Sequence, residues 1–212
     1  MHQLYSFRRC PYAIRTRMTL CYSAIKVELR EVALKNKPEL MMQLSTKGTV
    51  PVLQLDSQEV LTESREIIAW ALQQADTNDW LYRDHPNQQQ EILSLVDDND
   101  YEFKAWLDRY KYSDRNPIYS RVCSREQGLT FLAKLNYKLG KNPFLFGETI
   151  CWADIAIFPF VRQFAFVDKY WFDKQNLDFL QAWLNSHLHS DLFLSVMGKY
   201  SAWKVGDKPI IF

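Results

Sequence analysis

The sequence predicts an α+β domain followed by an all-α domain. Three observations carry this. In the first third, stretches of two-residue alternation exchange with stretches of helical spacing. The pattern then breaks across "DTNDWLYRDHPN", and beyond it apolar residues recur at three- and four-residue steps. The expected layout is a first domain at 1–77, a linker at 78–87 and an all-helical domain at 88–212. A chain of 212 residues is long for one compact domain and comfortable for two, each with its own core.

In chain order, "QLYSF" is a short strand by its apolar and aromatic content. "CPYAIRTRMTLCYSA" is a helix, with Pro11 in the first turn, where a missing N–H costs nothing. Ile14, Met18, Cys21 and Tyr22 share its expected buried face, and Arg15 and Arg17 lie away from it. "KVELREVAL" returns to strand alternation, and "KNKPELMMQLS" makes a short helix or irregular turn. Val52–Leu55 and Glu59–Leu61 flank the turn "DSQ" as a hairpin. "ESREIIAWALQQA" is helical, with Ile67, Ile68, Ala71 and Leu72 as its buried stripe. The order β-α-β-α-β-β-α describes a small mixed sheet covered by helices.

After the linker, "EILSLVDDNDYEFKAWLDRY" carries Ile92, Leu95, Val96, Phe103, Trp106, Leu107 and Tyr110 at helical steps. "VCSREQGLTFLAKLNYKLG" repeats the pattern with Val122, Leu129, Leu132, Leu135 and Leu139, and Gly140 stops it. Further helices are expected at "WADIAIFPFVRQFAFV" and "LDFLQAWLNSHL". Trp203 and the tail "KVGDKPIIF" are candidates to pack back over the helical domain.

Composition narrows the function classes. Hydrophobic residues are 47% and aromatics 15%, as in an ordinary folded protein. A net charge of +1 gives no global attraction to nucleic acid or an anionic membrane, so neither is expected as a partner. "MHQLYSF" has no basic-then-apolar leader pattern, and no apolar run approaches the roughly 20 residues of a membrane span. The expected compartment is the cytoplasm. Cys10, Cys21, Cys123 and Cys151 show neither CxxC nor metal-ligand spacing. On one helix Cys10 and Cys21 would stand about 16 Å apart, beyond disulfide reach, so reduced thiols and no metal are expected.

Cys10 opens a helix within "FRRCPYAIR". A sulfur there meets unpaired backbone N–H groups and the positive end of the helix dipole, and Arg8, Arg9, Arg15 and Arg17 add positive charge. All of these favour thiolate over thiol. A space-filling structural cysteine is the other reading, and position alone leaves both open. That plainer reading holds for Cys21, on the apolar face, and for Cys123. Alanine at position 13 gives Cys10 no resolving partner, so any disulfide must form with an outside thiol.

Two further stretches add to it. A cis Val50–Pro51 bond in "TVPVL" would turn the Val50 backbone outward, able to pair with an extended peptide-like ligand. "TES" ends a strand and opens a helix, where Ser64 and free N–H groups can hold a carboxylate and Glu63 an ammonium. A ligand with a thiol, a backbone-like centre and an amino-acid end would bridge all three points. Singly, Pro51 is a turn residue and Ser64 a cap; the three in this order are much less frequent by chance.

Together, "LYSFRRCPYAIRTRMTL", "LKNKPEL", "GTVPVLQLD" and "LTESREI" resemble the successive glutathione-binding segments of the glutathione transferase superfamily, most closely its cysteine-type, omega-like members. "CWADIAIFPFVRQF" resembles the capping-box helix of the family's second domain. The resemblance implies a thioredoxin-like domain joined to a helical domain, a homodimer, and a second substrate in the cleft between domains. It implies that Cys10 forms a mixed disulfide with glutathione, the cosubstrate, and that Tyr12 flanks the sulfur. Leu34 and Lys37 would line glutathione, with Lys37 near its glycine carboxylate. Val50, before cis Pro51, would pair with the cysteinyl backbone, and Glu63 and Ser64 would hold the γ-glutamyl end.

The implied activity is thiol transfer: deglutathionylation of small-molecule or S-glutathionylated substrates, or reduction of dehydroascorbate. The alternatives are a conjugating transferase using the Ser6 hydroxyl and a non-catalytic binding protein of the same fold. The sequence departs from the family pattern at Cys151, where Ser or Thr normally caps the helix three residues before Asp154. A thiol accepts weakly, so this cap should be poorer by about 1 kcal/mol. Ile150 and Ile155 keep the spacing of a hydrophobic staple. Arg9 is a second departure, making the approach to Cys10 more cationic.

Other features stay unpromoted. "DDND" at Asp97–Asp100 lacks calcium-loop spacing, and His187 and His189 fall on different faces of a helix. Core packing is the first assignment for aromatics such as Tyr101, Trp106 and Phe164.

Overall fold

A computed structural model describes residues 1–115 and 118–212. The chain divides into two compact units, Met1–Asn78 with Ser190–Phe212, and Asp79–His189.

The first unit is built on a five-stranded mixed sheet. Its elements are β1 (Gln3–Ser6), α1 (Pro11–Tyr22), β2 (Glu28–Glu31), α2 (Glu39–Leu44), β3 (Val52–Gln54), β4 (Val60–Leu61) and α3 (Ser64–Gln74). The strand order is β4-β3-β1-β2-β5, in which β5 (Ile210–Ile211) comes from the far end of the chain. β1 and β2 are parallel, joined through α1, and the other pairs are antiparallel.

Register sorts the side chains by face, because neighbours along a strand point oppositely. Leu4 lies beside Leu29 and Leu53, and these pack with Leu20 of α1 and Ile67 and Ala71 of α3. Tyr5 lies beside Val52 and, on its other side, Arg30. Tyr5 and Val52 pack with Met41 of α2, Val32 and Val50, and Phe7, Cys10 and Trp203 border that second cluster. The expected β-α-β-α-β-β-α order and thioredoxin-like sheet are therefore present.

Two expectations in this unit need correction. Arg15 and Arg17 are buried, 1% exposed each. α1 is enclosed on nearly every side, and the two guanidiniums turn inward to polar partners instead of outward to water. Cys21, placed on the apolar face from the sequence, is exposed, with Sγ 3.6 Å from Ser195 Oγ.

The end of the expected 88–212 helical domain also needs correction. Ser190–Phe212 packs with the first unit, carrying α10 (Asp191–Ser195) and β5. Val27 and Phe212 exchange backbone hydrogen bonds at 3.0 Å, and the Trp203 N–H donates to Glu31 O at 2.8 Å. Trp203 belongs to the first unit, where it packs against the cluster of Tyr5 and Val52. Its ring lies 4.3 Å from the Arg30 guanidinium and edge-on to the Tyr5 ring at 5.9 Å, and the same guanidinium lies 5.2 Å from the Tyr5 ring. Arg30 also donates to Tyr5 Oη at 2.6 Å and to both Glu28 carboxylate oxygens.

The second unit is helical, with α4 (Pro86–Asp97), α5 (Lys104–Lys111), α6 (Arg121–Leu139), α7 (Trp152–Ala165), α8 (Lys169–Phe172) and α9 (Asp178–Leu188). Between α4 and α5 the chain widens into a π turn at Asp98–Phe103, over most of the "DDND" run. Asn99 is thereby buried, and its amide donates to Asp100 Oδ1 at 2.8 Å. Val122, assigned to the apolar stripe of α6, is exposed, because the buried face of that helix runs through Ser124, Gly128, Phe131, Leu132, Leu135 and Leu139. Gly128 allows α6 to meet α7 closely: a Cβ there would fall 2.5 Å from the Phe164 ring. No helix among the described residues is long and apolar enough to cross a membrane.

Candidate active site

Cys10 is the N-cap residue of α1, in an extended backbone conformation, with Pro11 directly inside the helix. It closes a tight turn from β1: the Cys10 N–H donates to Phe7 O at 3.0 Å, and Cys10 O accepts from Ile14 N at 2.9 Å. Its sulfur does not cap the helix. It is half-buried, and its S–H donates to Val50 O at 3.6 Å. Val50–Pro51 is a cis peptide. The first two points of the predicted constellation, the thiol and the backbone before cis Pro51, therefore meet.

The third point lies at the start of α3, where Glu63 is the N-cap residue. Glu63 and Glu66 form a reciprocal capping box, in which Glu66 Oε2 accepts from Glu63 N at 3.0 Å. The exposed Glu63 carboxylate also pairs with Lys47. Ser64 is buried, and its Oγ accepts from Arg15 Nε at 3.1 Å and Nη2 at 2.8 Å. A serine hydroxyl has two acceptor positions and one donor, so Arg15 fills the acceptors and leaves the Ser64 O–H to donate. That arrangement suits a carboxylate ligand. Arg15 also lies 4.9 Å from the Tyr12 ring, tying the flank of Cys10 to Ser64.

Lys37 and Leu34 are exposed on the segment between β2 and α2, whose turn is closed by Asn36 N donating to Ala33 O at 2.8 Å. A Cβ on Gly48 would sit 3.2 Å from Lys37 Nζ, so the ammonium reaches over the loop that leads to Val50. Lys37 also lines an open cavity of about 560 Å³ with Pro38, Leu40, Trp203 and Lys204 among its walls.

Sequence reading missed Glu31 and Lys47, and took Arg15 and Arg17 only as added positive charge, not as buried donors to Ser64 and to the turn before Cys10. Glu31 Oε1 accepts from the Arg8 N–H at 2.8 Å and so fixes the turn before Cys10, and burial pushes its carboxyl up. Arg17 stands seven residues, two helical turns, after Cys10, and that spacing was the available signal. Ser6, the alternative nucleophile-activating hydroxyl, is fully buried and accepts from Arg17 Nη1. Among the described residues, no group of three or more His, Cys, Asp or Glu side chains is arranged to hold a metal.

In the helical unit, Cys151 is the N-cap residue of α7 and faces Asp154 across a capping box. Asp154, fully buried, accepts from Cys151 N at 3.0 Å, Leu145 N at 3.1 Å and Trp183 Nε1 at 2.9 Å. Burial, with the Asp154 charge beside it, pushes the Cys151 thiol well up. This sulfur is structural.

Two family models match the chain: the glutathione S-transferase N-terminal domain over residues 4–79 and the C-terminal domain over residues 104–186. Mouse glutathione S-transferase omega-1 is 42% identical over 62 residues, covering 29% of this chain and 26% of the relative. The match thus spans about a quarter of that relative's length. A probable rice glutathione S-transferase, DHAR2, chloroplastic, is 26% identical over 154 residues, 71% of this chain and 50% of the relative. Among solved structures, a glutathione-bound glutathione S-transferase from Methylobacillus flagellatus superposes with a TM-score of 0.80 at 20% identity, covering 92% of this chain and 98% of the other. Leishmania TDR1, described as a trimeric glutathione transferase, gives 0.78 at 22% identity, covering 93% of this chain and 46% of the other.

Proposed function

This chain belongs to the glutathione transferase superfamily, with omega-like character, and on that premise we propose that it is a cysteine-type glutathione thiol transferase. The Cys10 thiolate attacks the glutathionyl sulfur of an S-glutathionylated substrate. A Cys10–glutathione disulfide forms, the substrate disulfide breaks, and the substrate thiolate leaves to take a proton from solvent. A second glutathione thiolate then attacks the glutathionyl sulfur on Cys10. Oxidised glutathione leaves and the Cys10 thiolate returns. The substrate disulfide is reduced and one free glutathione is consumed per cycle. Dehydroascorbate reduction passes through the same Cys10–glutathione disulfide, with two glutathiones oxidised.

The observation that carries this reading is the meeting of the Cys10 sulfur with the Val50 backbone at 3.6 Å, at the start of a helix. A nucleophile there lies where the cysteinyl part of a tripeptide would pair with the Val50 backbone, beside cis Pro51. Ser64, with its O–H left to donate, and Glu63 take the γ-glutamyl carboxylate and ammonium. Lys37 takes the glycine carboxylate, Leu34 lines the ligand and Tyr12 flanks the sulfur. The curated omega-class and DHAR relatives favour the same chemistry over conjugation. Conjugation through Ser6 loses support, since that hydroxyl is buried beneath Arg17. The working form is proposed to be a cytoplasmic homodimer.

Intact-mass measurement after treatment with oxidised glutathione tests the reading. One glutathione adduct on the wild type and none on Cys10→Ser is the expected result. A Cys10→Ser protein that keeps full conjugating activity towards an electrophile would overturn it in favour of a hydroxyl mechanism. Failure of the wild type to bind immobilised glutathione would leave only a binding scaffold.

A further inference from the structure

Building on the thiol-transferase reading, we propose that Arg17 is the positioning residue of the site: it fixes the turn that presents Cys10 and supplies a buried positive charge that favours the sulfur's anion.

Arg17 is 1% exposed and spends all five of its N–H donors. Nε donates to Val196 O at 3.1 Å. Nη1 reaches Ser6 Oγ and Phe7 O, the latter at 3.5 Å. Nη2 donates to Arg8 O at 2.8 Å and makes a long contact with Met197 Sδ at 4.0 Å. Phe7 O is also the acceptor of the Cys10 N–H, so one guanidinium holds the two carbonyls of the turn that sets the sulfur's position. Lysine, with three donors on one atom, cannot span these partners; the planar fork can.

Every one of these direct partners is neutral. The charge of Arg17 is therefore not cancelled by a contacting carboxylate. Burial draws the guanidinium down to about 10, which leaves it charged at neutral pH, and the acidic groups that act on it are Glu31, Cys10 and Tyr200. Attraction between two charges is mutual, so a buried Arg17 cation favours thiolate at Cys10. Other charged or titratable groups near the turn are Arg8 and Arg9 beside Cys10 in sequence, Tyr12 and Arg15 on α1 and Glu31 on β2, with Arg8 and Tyr200 also acting on Arg17. Glu31 opposes the effect, and burial pushes its carboxyl up. Val196 and Met197 belong to the segment after the helical unit, so that segment completes the cage around Arg17.

The test is the pH profile of Cys10 alkylation by iodoacetamide in a Cys21→Ser, Cys123→Ser background, alongside turnover with a glutathionylated peptide. Arg17→Met should move the midpoint of alkylation up by about one pH unit, a roughly tenfold loss of rate at pH 6.5. Arg17→Lys, which keeps the charge and loses the fork, should keep the wild-type midpoint and lose about tenfold in kcat, with KM for glutathione little changed. A folded Arg17→Met protein with the wild-type midpoint and kcat would overturn the proposal. If circular dichroism shows Arg17→Met unfolded, Arg17→Lys decides, and wild-type kcat in that variant overturns it. A glutathione adduct on the wild type, measured in parallel, separates failure of this inference from failure of the thiol-transferase reading.

Discussion

Cys10 and Cys151 occupy the same position on two helices, the N-cap, and have opposite surroundings. Cys10 begins α1 with no side-chain cap bond, half-buried, its sulfur toward Val50 O. Cys151 begins α7 wholly buried, its sulfur against the Asp154 backbone and its thiol pushed well up by burial. A helix start offers both sulfurs the same dipole and the same unpaired N–H groups. What differs is the neighbouring charge and access to water: buried guanidinium for one, buried carboxylate for the other. A helix N-terminus therefore makes a nucleophile only where its surroundings agree.

The largest effect that would sharpen this contrast is on activity. Cys10→Ser should abolish thiol transfer and the glutathione adduct, and Cys151→Ser should keep both, as read by intact mass and turnover. Equal loss in the two variants would break the comparison.

Next comes the carboxylate beside Cys151. Asp154→Ala strands three buried donors, Cys151 N, Leu145 N and Trp183 Nε1. It should cost about 3 kcal/mol or more, measured by urea unfolding. Asp154→Asn, which keeps acceptor capacity, should cost less.

A third test uses His187, buried among Phe158, Trp183 and Phe144 in the same unit, where desolvation lowers its pKa to about 4. The unfolded chain then takes up a proton before the folded one does. Stability from the neutral ring is present above about pH 6.5 and is lost as pH falls toward 4. Between pH 7 and 5 this should amount to about 2 kcal/mol, absent in His187→Phe. Unfolding curves at the two pH values check it.

The smallest effect returns to the cap. Cys151→Ser should raise stability by up to about 1 kcal/mol, since oxygen accepts the Asp154 N–H better than sulfur. A loss of stability would show the sulfur's packing to outweigh its weakness as an acceptor.

Much of this was legible in the chain. Apolar and aromatic content located β1, two-residue alternation β2 and the turn at "DSQ" the hairpin of β3 and β4, and the order of the elements gave the mixed sheet. Cys10, Val50–Pro51 and Glu63–Ser64 could be singled out because each departs from what a plain strand or helix needs. The buried arginines were not legible, because hydropathy assigns a guanidinium to solvent, and only the fold reveals the serine hydroxyls and carbonyls that receive it. β5 was missed for a different reason. Two residues carry no periodicity, and their place is set by pairing with β2, some 180 residues away in sequence. The π turn at Asp98–Phe103 hid in the same way, since one extra residue per turn barely disturbs a helical pattern.

The central claim is that the Cys10 sulfur is ionised at neutral pH. Its most direct test is the alkylation rate of Cys10 across pH 5 to 10 in the Cys21→Ser, Cys123→Ser protein. The account predicts a midpoint below about pH 7.5, in the range of thiols at helix N-termini; a midpoint near the ordinary 8.5 would contradict it.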